Sequence, residues 1–312
     1  MADGWGDTPI AIPTELVLPR YYPPASQLNR AGAKLRGIDL SGKNLERVDF
    51  TQADLSGANL EQARLVDAQI ADAKLSGALL KSANLTAASL RRSNLLGAIL
   101  MSAILDQAVL SQTNLAGANL SEAELYNANL TEADLSYTML RRASLVKANL
   151  SRTNMYRLNA NGAELYGING SYAQLYQAQL QGCDLRQANL TQANLTQAVL
   201  TKANLNQATL IRANGSAAIL KQANLTWADL SYANLTAANL DSAVLAHATL
   251  IETDLSGTNL QAARLDYATL KDSQLSNVTW QRASVKGTRF CQPIGLLAQE
   301  KVWLRSQGAI IS

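Results

Sequence analysis

A five-residue period runs through most of this chain and limits what it can fold into. From Leu35 to Phe290 every fifth position is a repeat centre, and 43 of these 52 centres are Leu. Ala fills 37 of the 52 positions two residues before a centre, and Asn or Asp fills 26 of the positions one residue before. The segment 192–210 shows the pattern in its regular form. A repeat this long indicates one solenoid rather than separate domains.

Neither a helix nor a flat strand buries this pattern. A step of five residues turns about 140° around an α-helix, so the Leu centres would point in all directions. Along a strand the side chains alternate, so centres an odd number of residues apart would face opposite sides. A short straight segment followed by a corner, repeated every five residues, places each centre and the Ala two residues before it inside. Of the 18 glycines, 11 lie two residues after a centre, where a turn with positive φ favours glycine.

The repeat Ala-(Asp/Asn)-Leu-x-x over residues 33–290 resembles that of the pentapeptide-repeat proteins. The resemblance implies an all-β solenoid, a right-handed quadrilateral β-helix with four repeats per coil. With four repeats per coil, the 52 centres form about 13 coils. At about 4.8 Å per layer the rod is roughly 60 Å long. The long, Leu-centred array is similar to that of cyanobacterial members of the family.

The sequence divides into three parts. Residues 1–32 form an N-terminal segment that holds five of the six prolines. We expect residues 1–24 to lie against the first coil, with a partner-binding arm as the alternative, and residues 25–32 to form a short helical turn. Residues 33–290 form the β-helix, and residues 291–312 form a C-terminal capping helix and tail. That helix is expected to begin at Gln292-Pro293 and to end at Gly308. Its apolar face includes Trp303 and Leu304, which either cover the end of the core or form a dimer contact.

The interior departs from the repeat at a few centres. Ala160 follows Leu158 and Gly170 follows Ile168. In both repeats the small residue occupies the centre and the large residue occupies the inward position two before it, so the buried volume stays roughly constant. Gly215 follows Ala213 and has no such compensation, which predicts a dent or a slight bend in the rod. The outward Asn and Asp residues are expected to form ladders of side-chain hydrogen bonds between coils.

No arrangement of residues predicts catalysis, a metal site or a cofactor. The one histidine, His247, lies two residues after a centre and points outward. Cys183 replaces an inward Ala, and Cys291 lies too many coils away for a disulfide, so both thiols are expected to be free. The sequence shows no signal segment or membrane-spanning run. We therefore expect a soluble, cytoplasmic protein that is not an enzyme.

The outer faces carry two candidate interaction surfaces. We call side A the side with centres Leu40, Leu60 and Leu80, and side D the side with centres Leu55, Leu75 and Leu95. Aliphatic residues and Met recur on side A one residue before the centre: Leu79, Ile99, Met139, Val199 and Ile219. They either form a contact surface for a partner or simply make this face of the sheet slightly apolar. Tyrosines cluster in the middle of the rod and include Tyr156, Tyr166 and Tyr176. They either form a binding surface or only cover a weak part of the core. Tyr156 and Tyr176 are one coil apart and should stack.

These features favour a non-catalytic scaffold or protein–protein interaction module, a monomer or an end-to-end dimer, with an unidentified protein partner. The alternative is a DNA-mimicking regulator or protector of DNA gyrase, as in the quinolone-resistance members that the resemblance includes. Such mimicry needs an anionic rod. Residues 33–290 contain 23 Lys and Arg against 20 Asp and Glu, which disfavours this alternative. Direct binding of nucleic acid is also disfavoured, because no basic groove is evident.

Overall fold

The structure, a computed structural model, describes residues 29–312 as a four-sided solenoid. Residues twenty positions apart pair in parallel, as Leu79 does with Ile99, so four repeats complete one coil. Each repeat contributes a donor to both neighbouring coils. The N–H of Leu80 donates to the carbonyl of Ile99 (2.7 Å), and that of Leu79 donates to the carbonyl of Ala58 (2.9 Å). The backbone ladder therefore runs along the rod, perpendicular to the direction of the chain.

Most corners of the rod are tight turns. The Ala three residues after a centre donates its N–H to the carbonyl of that centre, as in Ala83 to Leu80 (3.0 Å). The third residue of the turn has positive φ, as type II turns require. Gly77 has φ 65°, but Gln62 adopts φ 57° at the equivalent position. Glycine is therefore favoured at these corners, as the sequence predicts, but not required.

The Asn and Asp residues before the centres mainly stabilise these turns. The Asn84 Oδ1 atom accepts hydrogen bonds from the N–H (3.0 Å) and the hydroxyl (2.7 Å) of Thr86, two residues on. The same Asx geometry recurs along the rod, because an Asx side chain can mimic a backbone turn. Side-chain bonds between coils, such as Asn224 Nδ2 to Asn204 Oδ1 (3.2 Å), are less frequent. The expected ladders are thus a secondary feature, and the Asn204 Oδ1 atom that accepts this bond also accepts from the N–H of Asn206 in its own turn (3.2 Å).

The core consists of the inward Leu centres and the smaller inward residues between them. Leu100 and Ala98 are fully buried, as are most of their equivalents beyond the first described coil. Where a hydroxyl replaces Ala it usually donates to a carbonyl in the preceding coil, as Thr113 Oγ1 does to Leu90 O (2.8 Å), although Thr153 Oγ1 donates to Leu150 O in its own turn (2.6 Å). Cys183 Sγ makes the corresponding contact with Ala160 O (2.9 Å). Polar atoms at the small inward positions are therefore satisfied by nearby backbone carbonyls, mostly those of the neighbouring coil.

The irregular centres leave the backbone ladder intact. Leu158 and Ile168 point inward beside Ala160 and Gly170, as expected, and a cavity of about 20 Å³ remains among them. The prediction for Gly215 was incomplete, because Leu235 in the next coil packs over it. The N–H of Gly215 still donates to Asn234 O (2.7 Å), so the ladder is not interrupted.

The N-terminal boundary differs from the prediction. Asn29 already pairs in parallel with Asp49, and residues 31–32 form a corner. The solenoid therefore includes residues 29–32, and the helical turn expected there is wrong for these residues. The remaining predictions for residues 1–28 lie outside the described part of the chain.

The C-terminal region contains three short strands and one helix. Strand β1 spans Thr269–Lys271, β2 spans Arg289–Cys291, helix α1 spans Ala298–Ser306 and β3 spans Ile310–Ile311. The strands form a parallel sheet in the order β1-β2-β3. The last rung of this sheet is thus supplied by residues that follow the helix.

Helix α1 begins later than the sequence predicts. Ile294 still belongs to the ladder, because its N–H donates to Ser273 O (3.0 Å) and its carbonyl accepts from Leu275 N (2.8 Å). The helix begins only where Glu300 Oε2 accepts from the N–H of Leu297 (2.8 Å). Its end was predicted correctly, since Gly308 directly follows the last turn with φ 89°. Leu304 is fully buried and Trp303 packs, partly buried, against the core.

Candidate functional site

The outward columns of the rod can be assigned from the twenty-residue register. We call side B the side with centres Leu45, Leu65 and Leu85. Edge DA is the corner formed by the first and second residues after each side D centre, such as Leu96 and Gly97. Edge AB is the corresponding corner after side A, and edge BC the corner after side B. Each residue's neighbours along an edge are therefore twenty positions away.

The aliphatic residues predicted on side A do not form one continuous column. Leu79 pairs directly with Ile99, and Val199 pairs directly with Ile219. Asn119 separates Ile99 from Met139, which has no apolar neighbour in its column. Ile99, Met139 and Ile219 are exposed, whereas Leu79 and Val199 are half-buried. Side A thus presents two aliphatic pairs and one methionine between them.

The first of these pairs belongs to a larger apolar patch. Leu96, which is 49 % exposed, lies on edge DA two residues from Ala98 and three from Ile99. Met101 lies on the opposite border of side A. We call Leu79, Leu96, Ile99 and Met101 the apolar patch. Around it edge DA is smooth, because a Cβ added to its corner glycines would meet open space: Gly37, Gly57, Gly77, Gly97 and Gly117.

An aromatic cluster continues edge DA beyond the last of these glycines. Tyr156 and Tyr176 stack with ring centroids 5.8 Å apart and planes 1° from parallel, which confirms the predicted stacking. Tyr137, which is 55 % exposed, packs edge-on against Tyr156 at 5.3 Å. Loss of hydration and a hydrogen bond with Tyr137 raise the pKa of the Tyr156 hydroxyl above its ordinary value. The three rings form one cluster on the same edge as the apolar patch.

Tyr166 does not join this cluster. It lies on edge BC, diagonally opposite, where its hydroxyl donates to Gln187 Oε1 (2.7 Å). The Arg186 guanidinium stacks over its ring at 5.6 Å. The tyrosines that are near one another in sequence are therefore distributed over different edges, and only those in the same register meet.

A second aromatic ladder lies on edge BC and was not predicted. Trp227 and His247 stack at 4.1 Å, and His247 and Tyr267 stack at 5.3 Å. Their twenty-residue spacing is the signal by which the sequence could have revealed them. Tyr267 also covers Gly287, since a Cβ added there would lie 2.7 Å from the ring. Leu96, at a corner of edge DA, was also not predicted as part of a candidate surface.

The described residues hold no group of His, Cys, Asp or Glu able to bind a metal ion. Cys183 and Cys291 are free thiols, and burial raises the pKa of Cys183 to about 12. Within residues 29–312, no helix has the length and apolarity needed to cross a bilayer. The exposed side chains of the rod therefore provide its candidate functional surface.

The same repeats are recognised in the family comparison. A description of pentapeptide repeats matches the chain in eight copies between residues 31 and 279. In a comparison with curated proteins, none matches the chain.

The chain is also similar to several solved structures. HetL, a pentapeptide repeat protein involved in heterocyst differentiation regulation from the cyanobacterium Nostoc, is 30% identical, with 83% of this chain and 92% of HetL covered and a TM-score of 0.33. Rfr23 from the cyanobacterium Cyanothece is 32% identical, with 31% and 63% covered and a TM-score of 0.21. QnrB1, a plasmid-mediated fluoroquinolone resistance protein, is 18% identical, with 67% and 89% covered and a TM-score of 0.36. The repeats matched along most of its length show that the chain belongs to the pentapeptide-repeat family, whose β-helix solenoid it adopts.

Proposed function

We propose that this protein is a non-catalytic interaction module that binds a protein partner through side A and edge DA. In this proposal the rod is a right-handed quadrilateral β-helix of about 13 coils, as the family resemblance implies. Helix α1 caps its C-terminal end, since Leu304 is fully buried there. The observation that carries the proposal is the position of the apolar patch and the tyrosine cluster on one edge.

The chemistry of this edge suits protein binding. Tyrosine, methionine and other large apolar side chains are enriched in interface cores. A few such residues in a well-packed centre commonly supply most of the binding energy. Leu96, Ile99, Met139 and Tyr137 are all exposed along this part of the rod. The corner glycines between them add no side chains, so a partner can approach the backbone closely.

The surface is long enough for a protein contact. From Leu79 to Tyr176 it extends over nearly five coils, or about 24 Å at β-sheet spacing. The pair Val199 and Ile219 lies further along side A, where we propose a secondary contact for a partner that follows the rod.

DNA mimicry fits this surface poorly. The repeats carry a small excess of basic residues, and the edge proposed for binding is apolar and aromatic rather than acidic. We also propose that the protein acts as a monomer in the cytoplasm, where its two free thiols would remain reduced. Because Trp303 and Leu304 pack against their own core, they are assigned to the cap rather than to a dimer contact.

An affinity pull-down from the native cell tests the proposal. Ile99→Glu places a charge in the apolar patch and should abolish capture of the specific partner. Thr279→Glu introduces the same charge at an exposed position of the same column, near the far end of the rod, and should leave capture unchanged. Equal capture by the two variants would contradict the proposed surface.

A further inference from the structure

One coil in the middle of the rod is unusually basic. Between Asp134 and Glu164 the chain contains no acidic residue, but it contains five basic ones: Arg141, Arg142, Lys147, Arg152 and Arg157. Their spacing of five residues places Arg142, Lys147, Arg152 and Arg157 at the four corners of a single coil. All five side chains are exposed. We call this group the basic coil.

The charges of the basic coil are not neutralised within the described residues. None of the ion pairs found among residues 29–312 involves any of the five side chains. Glu122 and Glu132 do occupy the rungs next to Arg142 and Arg152. Arg141, Lys147 and Arg157, in contrast, have only uncharged residues on the rungs before and after them. Of these three, Arg141 and Arg157 lie on the borders of side A, whereas Lys147 lies on edge BC.

Arg141 and Arg157 border side A at the place where its apolar residues meet the tyrosine cluster. Arg157 lies on edge DA, Arg141 lies on edge AB, and Met139 projects from the face between the two edges. The Arg157 guanidinium stacks over Tyr156 at 5.2 Å and donates from Nε to Gln177 Oε1 (2.7 Å). Such contacts restrict the side chain before a partner arrives, which reduces the entropy lost on binding.

We infer that this part of side A binds an acidic segment of the protein partner, one in which carboxylates flank an aromatic or aliphatic residue. The carboxylates pair with Arg141 and Arg157, and the apolar residue packs on Met139 and Tyr137. Arginine suits this role because its planar fork matches a carboxylate in two parallel hydrogen bonds. The inference deepens the proposed function and rests on it, since it names the chemistry of the partner.

The arrangement favours an acidic peptide over a nucleic acid. A nucleic acid needs cations in line with its regularly spaced phosphates. Here the four corner cations point away from the rod in different directions, so one ligand meets only two or three of them. The neighbouring tyrosines also pack against one another, with two of the three rings stacked, which leaves fewer faces for bases.

Fluorescence anisotropy with a defined probe tests the inference. The probe is a short labelled peptide of Glu and Asp with a single Trp and a single Leu, and its control has every acid replaced by Gln. We expect the full chain to bind the acidic peptide at low salt, more weakly as salt increases, and not to bind the Gln peptide. Arg141→Gln/Arg157→Gln should weaken binding by about tenfold or more, because two charge-assisted contacts are lost.

A matched double variant controls for net charge. Lys202→Gln/Arg282→Gln removes two exposed cations from edge AB, in coils away from the basic coil, and should bind the probe as the unmodified chain does. Equal weakening in the two variants, or no binding of the acidic peptide by the unmodified chain, would contradict the inference. Tighter binding of single-stranded DNA, again dependent on Arg141 and Arg157, would replace it with a nucleic-acid site. If Ile99→Glu abolishes partner capture but the arginine variant does not, the proposed function stands and only the inference fails.

Discussion

The side chain of Leu235 packs into the space that Gly215 leaves in the preceding coil, so that a Cβ added to Gly215 would lie 2.8 Å from Leu235 Cδ2. The missing volume at Gly215 is thus replaced in part from the neighbouring coil rather than from the same repeat, and a cavity of about 10 Å³ remains beside it. We predict that Gly215→Ala lowers the free energy of unfolding by about 1–3 kcal/mol, the usual cost of overpacking a core. Urea unfolding measures it. Adding Leu235→Val to the Gly215→Ala variant should recover part of the lost stability. If the losses of the two single variants simply add in the double variant, the two residues do not share this space.

The Leu ladders are predicted to provide most of the stability. Leu100→Ala removes a fully buried side chain and should cost about 2–5 kcal/mol, because the narrow core can collapse only partly around the cavity. Leu96→Ala changes the same residue type at an exposed corner, and surface substitutions cost about 0.5 kcal/mol or less. Chemical denaturation of both variants checks the difference. Similar losses in the two variants would contradict the assignment of inward and outward positions.

Acid should destabilise the rod through its turn carboxylates. Hydrogen bonds from Ser56, first from its hydroxyl, hold the pKa of Asp54 below its ordinary value, and the backbone N–H of Ser41 does the same for Asp39. A lowered folded-state pKa stabilises the protein above the unfolded value of about 4, and this contribution is lost as the pH falls through the folded pKa. The urea midpoint should therefore be flat from about pH 7 to 5 and should fall below about pH 4. The double variant Asp39→Asn/Asp54→Asn keeps an acceptor oxygen at each position but cannot be protonated in this range. Its urea midpoint should therefore fall less steeply with decreasing pH. An unchanged pH dependence would exclude these two carboxyl groups as a cause.

The two thiols should differ in reactivity. Burial raises the pKa of Cys183 to about 12, so very little thiolate forms at mildly alkaline pH, while Cys291 is half-buried. A thiol reagent should therefore modify only Cys291 in the folded protein and both cysteines in denaturant. Cys291→Ser should abolish the native reaction. Rapid native modification of that variant would mean that the core around Cys183 opens more readily than its packing indicates.

The repeat architecture and the direction of most side chains could be predicted from the sequence. The five-residue period predicts which positions point inward and outward, and the four repeats per coil that the family resemblance implies then placed Tyr156 over Tyr176 correctly. Contacts between coils could not be predicted as well, because they depend on rotamers. Leu235 over Gly215 is one such contact.

The ends of the rod were predicted less accurately. Backbone pairing extends to Asn29 and Ile294, where the side-chain pattern has already faded. Pro293 resembled a helix start because it lacks an N–H, yet the ladder uses the groups of its neighbour Ile294. The pattern of apolar centres reports burial, and it therefore does not detect residues held only by backbone hydrogen bonds.

The candidate surface was predicted in its parts but not in its arrangement. Leu79 and Ile99 were identified as outward residues and Tyr137 was counted in the tyrosine cluster, while Leu96 was not identified as part of a candidate surface. Reading the sequence at a spacing of twenty residues brings these columns together. The same reading reveals Trp227, His247 and Tyr267, whose equal spacing is hidden in the linear order.

Site-specific photocrosslinking in the native cell tests most directly whether edge DA is the binding surface. A photoreactive phenylalanine analogue would replace Leu96 or Tyr137 on this edge, or Thr236 on the same edge beyond the tyrosine cluster. The account predicts that the first two positions give the same covalent adduct with one protein, and that Thr236 gives little or none. Adducts of equal yield from all three positions, or an adduct from Thr236 alone, would contradict the claim.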